Sequence, residues 1–556
     1  MFFKLLMSIM AVIFMVGSTQ AQVHDPRALA ADPKTATAPI APKLTGLGHH
    51  HIPVTTSNPE SQYFFDQGVR LFLGFNHSEA LRSFKEAIRL DPENAMAYWG
   101  WALVLGPNLN LPMQDNVVPR AYQAIQQAVQ LSPRVSAKER GYITALATRY
   151  GPTSADRAAL DHAYSAAMKQ LMDQYPDDND IATLYVAAVM NTNPWNYWYP
   201  DGSPKGRTAE ILAILDRVTA RAPDHAGAHH YLIHLVEAFR PELAERSADL
   251  LRPLMPGAGH LVHMPSHIYM RLGRYQDSYE VNSKAILADQ SYITQCQAQG
   301  LYPLRYFPHN MHFLAWSAMF LGRSSDALNA ARSVANPDKF VTKLNNWGLN
   351  ETFLAQPMFV MIRFGQWEDM LAEPRPVTKG YFLNGIWHYG RGLSYLHQGK
   401  LSKARAELKE LVAWHNRALK DTAYNGAFYF NDTLFAIAEA VLQAEIHGKA
   451  GDYTKALSQA DRAVRLEESL DYNEPPNWYF PTRHILGAVL MDAGKPAEAE
   501  VVYWADLQQN PDNGYALFGL HQALMAQGKA DLAAVIKTRF DKAWSRADMA
   551  LSSSRF

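Results

Sequence analysis

The sequence predicts an all-α protein assembled from repeated helical hairpins. Three observations carry this expectation. A pattern of small and large residues that begins at Ser61 returns along the chain, and a glycine turn recurs between apolar stretches. Runs with the apolar–polar alternation of half-buried strands are not part of the pattern.

The first hairpin defines the register. Counted from Ser61 as position 1, Phe64, Gln67, Gly68 and Leu71 fall at 4, 7, 8 and 11, and Ala80, Phe84, Ala87 and Pro92 at 20, 24, 27 and 32. Positions 8 and 20 are small because two antiparallel helices cross there, and Pro92 cannot continue the second helix. The spacing resembles the 34-residue tetratricopeptide repeat, which implies a right-handed superhelical solenoid of helical hairpins with a concave ligand-binding groove. The register returns from Ala95 with Tyr98, Trp101, Ala102 and Leu105, and then, after about seven extra residues, with Ala121, Ile125, Ala128 and Pro133. Turn glycines follow at Gly273, Gly322, Gly365, Gly399, Gly451, Gly494 and Gly528. With each at position 15, position 20 is Ser278, Ala327, Met370, Ala404, Ala456, Ala499 and Ala533, so only Met370 is large. The array is expected over residues 61–545 as roughly ten to twelve hairpins, with a C-terminal tail at 546–556. Aromatic or Pro-rich insertions interrupt it at 108–116, 191–204, 290–308 and 473–481, and long loops of this kind line or cover sites.

Ahead of the array, residues 1–21 have the pattern of an export signal. Lys4 precedes an apolar core from Leu5 to Val16, and Thr19-Gln20-Ala21 offers small residues before a cut at Gln22. About twelve apolar residues are too few to span ~30 Å of hydrocarbon, so a periplasmic or secreted protein without a membrane span is expected. Residues 22–60, rich in Ala, Pro and Thr at the start, read as a flexible leader and lead-in segment. Within it, Gly48-His49-His50-His51-Ile52-Pro53 resembles the start of a group of bacterial tetratricopeptide proteins, as does Ala97-Tyr98-Trp99-Gly100-Trp101-Ala102.

Composition narrows the function. The 556 residues carry 52 Lys plus Arg against 53 Asp plus Glu, a net charge of −1 that leaves no cationic surplus for nucleic acid. The single cysteine, Cys296, cannot form an internal disulfide. The 21 histidines are unevenly placed, with nine of them between residues 221 and 320. On the repeat register His260, His263 and His267 take positions 2, 5 and 9 of one first helix. His309 and His312 take 2 and 5 of the following one, and His230 and His234 take 5 and 9 of the preceding one, with Glu237 at 12. At ~100° per residue these positions share a face opposite the packed positions 4, 7, 8 and 11. Seven of nine such slots are histidine.

The pairs His230/His234 and His263/His267 stand one turn apart, the spacing by which helices chelate transition metals, and imidazole suits zinc or copper. Glu237 offers an oxygen ligand or a general base. The metal either serves a reaction or helps hold a ligand, and no catalytic residue is assigned. The alternative is a metal-free scaffold that recognises a peptide, protein or small molecule in the groove. A proton-sensing groove is a third possibility, because clustered imidazolium groups repel one another near pH ~6. His49, His50 and His51 form either a metal-binding tract or a segment that folds back into the groove. His484 falls at position 5 when Gly494 sets the register, which makes it a second candidate groove contact.

Overall fold

A computed structural model describes residues 24–153, 156–335, 349–377, 380–427 and 429–556. The expected export signal at 1–21 lies outside the described residues. The chain is all-α: among the described residues there is no strand, only two isolated bridges, Asn108–Leu111 and Trp198–Pro204. None of the described helices is long and apolar enough to cross a membrane. The chain divides into two compact units, Met1–Ile268 with Lys284–Phe307, and Tyr269–Ser283 with Pro308–Phe556.

In the first unit successive helices pair as antiparallel hairpins, beginning with α1 (Pro59–Leu73) and α2 (His77–Leu90). Both start on asparagine caps: Asn58 accepts from the Glu60 and Ser61 amides, and Asn76 from that of Glu79. The small residue at position 8 has a visible cause. A Cβ on Gly68 would lie 2.6 Å from the Phe84 ring, and one on Gly100, in the next helix, 2.4 Å from it. The ring is thus clamped between two helices that approach it closely.

Residues 24–58 differ from the flexible leader expected of them. They run over the first hairpin, whose side chains satisfy their backbone. Gln67 donates to Pro42 O and accepts from Leu44 N, Glu86 accepts from Ile40 N, and Arg70 donates to His50 O. The buried Lys85 ammonium donates to the carbonyls of Ala28, Leu29 and Ala31 at 2.7, 3.2 and 2.7 Å. A chain too rich in Pro and Ala to fold alone is ordered here by borrowed hydrogen-bond partners.

The second unit repeats the hairpin with fewer additions. Helices Tyr381–His397 and Leu401–Lys420, Tyr429–Lys449 and Tyr453–Glu468, Arg483–Asp492 and Pro496–Gln509, and Gly514–Ala526 and Ala530–Ala543 pair in turn. All seven turn glycines named above lie in this unit, with φ between 62° and 79°. The large residue at position 20, Met370, is fully buried and fits because Gly390 faces it: a Cβ there would stand 2.7 Å from the Met370 sulfur. The tail beyond Trp544 is also held. Asp548 accepts from the Ser324 and Ser325 amides, and Phe556 packs edge-on against Trp367.

Candidate metal centre

The centre is built in the first unit on α3 (Ala226–Val236) and α4 (Gly259–His263). α3 starts on an unusual cap, His225, whose Nδ1 accepts from the Ala228 amide at 3.1 Å. It carries His230 and His234 one turn apart and ends immediately before Glu237. α4 carries His260 and His263, and the helix Pro265–Arg271 carries His267. These five imidazoles were expected along an open groove. They are instead enclosed, with exposures of 0, 3, 2, 0 and 6% for His230, His234, His260, His263 and His267. Chain from elsewhere in the unit closes over the helix face on which the register puts them.

Hydrogen-bond partners assign the ring protons. His230 Nδ1 lies 2.7 Å from Leu73 O, a pure acceptor, so the hydrogen is on Nδ1 and Nε2 keeps a lone pair. Glu237, fully buried, holds His234 in the same way, with Oε1 3.1 Å from His234 Nδ1, and its Oε2 stands 3.2 Å from His267 Nδ1 as a close charge contact. The carboxylate expected as a ligand or base thus orients one imidazole through Oε1, the usual outer partner of a metal-bound histidine. His230 Nε2 stands 3.2 Å from His260 Nε2. His234 Nε2 is buried with no hydrogen-bond partner among the described residues. One donor atom from each of His230, His234 and His260 lies within 4.8 Å of the others. Two nitrogens on a tetrahedral ion at ~2.05 Å stand ~3.3 Å apart, close to the spacing of the His230–His260 pair.

Electrostatics favour neutral rings. Burial holds His230 well below the usual histidine range, reinforced by His234 and His267 and opposed by the Leu73 carbonyl. Burial, with His267, does the same to His234. His267 is lowered by burial against the pull of Glu237. Neutral imidazoles with bare Nε2 atoms are the form that binds metal.

Aromatic rings cover the cluster. Phe75 lies 4.4 Å from His230 and stacks on His234 and His260 at centroid distances of 5.6 and 5.5 Å. It does so from a left-handed backbone, φ 55°. Trp195 meets His234 edge-on at 5.4 Å, and Trp198 donates to Leu235 O at 2.6 Å, so the aromatic insertion at 191–204 packs over α3. Tyr306 stands 4.7 Å from His260, and Tyr302 accepts the His260 amide hydrogen at 3.1 Å.

The remaining candidates lie on other elements. His309 and His312 belong to the second unit, half-buried beside Phe313 and Phe353, and burial lowers His312 to about 4. His484 is no groove contact: it is fully buried between Arg363 and Asp506 at 2.9 and 3.0 Å. Cys296 is buried, and burial, with Glu79 beside it, pushes its thiol far above the usual range, so it offers no thiolate. His50 and His225 share one oxygen of Asp180 at 2.8 and 3.2 Å. Because His225 Nδ1 already caps α3, its hydrogen belongs on Nε2 and is directed to Asp180, while His50 brings the lead-in segment against the same oxygen. Sequence reasoning missed Leu73, Phe75 and Tyr306 as parts of the centre. For Phe75 a signal existed, since it occupies position 15, where the later repeats have glycine.

Comparison with known proteins assigns no family. No family model matches the chain, and no curated protein does. Among solved structures, a human IFIT1 dimer with m7Gppp-AAAA is 12% identical, with 88% of this chain and 91% of that chain covered and a TM-score of 0.30. Yeast Tom70 is 15% identical with 88% and 92% covered and a TM-score of 0.26. The P58(IPK) TPR domain is 12% identical with 84% and 99% covered and a TM-score of 0.23. TM-scores this low carry no functional argument, and the all-α hairpin class rests on this chain's own helices.

Proposed function

We propose that the protein binds a transition-metal ion through His230, His234 and His260. One observation carries the reading: His230 and His234 have their Nδ1 hydrogens committed to Leu73 O and Glu237, so their buried Nε2 atoms keep lone pairs, and His260 Nε2 stands 3.2 Å from that of His230. An all-imidazole donor set suits zinc or copper. It also suits an exported protein, the localisation taken from residues 1–21, since it needs no thiolate that an oxidising compartment would remove. Enclosed side chains cannot touch a peptide laid along the surface, so the burial of these histidines speaks against their serving the metal-free scaffold reading.

The test is metal analysis of chelator-stripped protein after separate reconstitution with zinc, copper and cobalt, beside a His230→Gln variant. Stoichiometric ion in the wild type and its loss in the variant are expected. Saturation should also raise thermal stability, by ~2.7 kcal/mol at a hundredfold excess over Kd. Wild-type protein that retains no ion and melts unchanged with every metal would falsify the reading.

A further inference from the structure

We propose that the same core holds a second transition-metal ion on the Nε2 atoms of His263 and His267, with Glu237 as the positioning carboxylate shared by both ions. This rests on the metal-binding reading of His230, His234 and His260. His263 Nε2 and His267 Nε2 stand 2.9 Å apart in a fully enclosed position, and an opening of ~0.4 Å brings them to the ~3.3 Å spacing of two ligands on one tetrahedral ion. His267 Nδ1 stands 3.2 Å from Glu237 Oε2, the oxygen not bonded to His234. A single carboxylate thus lies against one ring of each group and sets its negative charge beside both.

His263 is prepared by a different device. Its Nδ1 lies 3.2 Å from the hydroxyl of the fully buried Ser266. Without metal, Ser266 donates to His263 Nδ1, and His263 Nε2–H donates to His267 Nε2. When the ion binds, the hydrogen of His263 moves from Nε2 to Nδ1 and Ser266 turns from donor to acceptor. A hydroxyl serves both tautomers, whereas a carbonyl or an ammonium serves one. The exchange releases no proton, because both rings are neutral before and after.

The test is titration of the metal-free full chain with cobalt, followed by its visible absorption and by metal analysis. About two equivalents are expected in the wild type. Ser266→Ala should keep the first and bind the second ~10-fold more weakly, as outer-partner changes do. Glu237→Gln, which keeps an amide oxygen for His234 but removes the negative charge beside His267, should lose one equivalent with an unchanged far-ultraviolet helix signal. Crystals of the cobalt-loaded wild type should show an anomalous peak at each imidazole group, a readout that depends on no variant. One equivalent, with a peak at His230, His234 and His260 alone, overturns the second ion and leaves the first. No bound cobalt overturns both.

Discussion

At position 15 of the hairpin the two units make opposite choices. The second unit places glycine there seven times, with φ between 62° and 79°; the first hairpin of the first unit places Phe75, with φ 55°. Gly399, Gly451, Gly494 and Gly528 have nothing within 4 Å of where a Cβ would stand, so glycine is used there for its backbone alone. A left-handed conformation costs an L-residue ~1–2 kcal/mol. The first unit accepts that cost and puts a ring against three imidazoles. The turn shape is common to both units, and the residue departs from glycine where the turn also roofs a site.

Substitutions at this position test the contrast most directly. Phe75→Ala removes a buried ring while keeping the strain, and a loss of ~3–5 kcal/mol in denaturant unfolding of the first unit is expected. Phe75→Gly should lose ~1 kcal/mol less, because the strain goes with the ring. Equal losses for the two would remove the claim that Phe75 is strained. Next in size is Lys85→Met, which leaves three carbonyls of residues 28–31 without their donor and should cost ~1–3 kcal/mol. Limited proteolysis should then cut within residues 24–58, and resistance there would show that the segment is held by something other than Lys85. In the second unit, Gly451→Ala should cost only ~1 kcal/mol, since space is available and backbone strain alone is added.

The smallest effect concerns pH, where the units again oppose each other. In the second unit burial pushes Glu351 and Glu467 up to about 7. Their folded forms hold protons that the unfolded chain has released above ~4.5, so stability falls as pH rises from there through 7. In the first unit burial lowers His24 to about 4 and His77 to about 3. Here the unfolded chain binds the extra proton below ~6.5, so stability falls as pH drops toward 3. Glu351→Gln should flatten the second unit's slope between pH 5 and 7 by ~1 kcal/mol per pH unit. An unchanged slope would show that this carboxyl is ionised throughout.

Much of this was legible in the chain. Gly68, Ala80 and the seven turn glycines define the hairpins because close helix crossings and left-handed turns admit few residue types. His230, His234, His260, His263 and His267 were legible as a group because helical periodicity determines which residues share a face. The register does not say what covers that face. His230 meets Leu73 across 157 residues of sequence, and Glu237 reaches two rings because it stands at the end of α3. The lead-in segment was misread for a related reason. Its own composition predicts disorder, and its order comes from Gln67, Lys85 and Glu86, residues that the repeat pattern treats as unremarkable positions.

The Leu73–His230 contact also dictates an order of events during synthesis. A ribosome adding ~5–20 residues per second leaves the first hairpin waiting roughly 8–30 s before its partner helix exists. For that interval the Phe75 face has no native cover, although the hairpin itself closes within microseconds. An early element is therefore completed late, and the first hairpin's wait for its first partner helix is measured by the length of chain between Leu73 and His230.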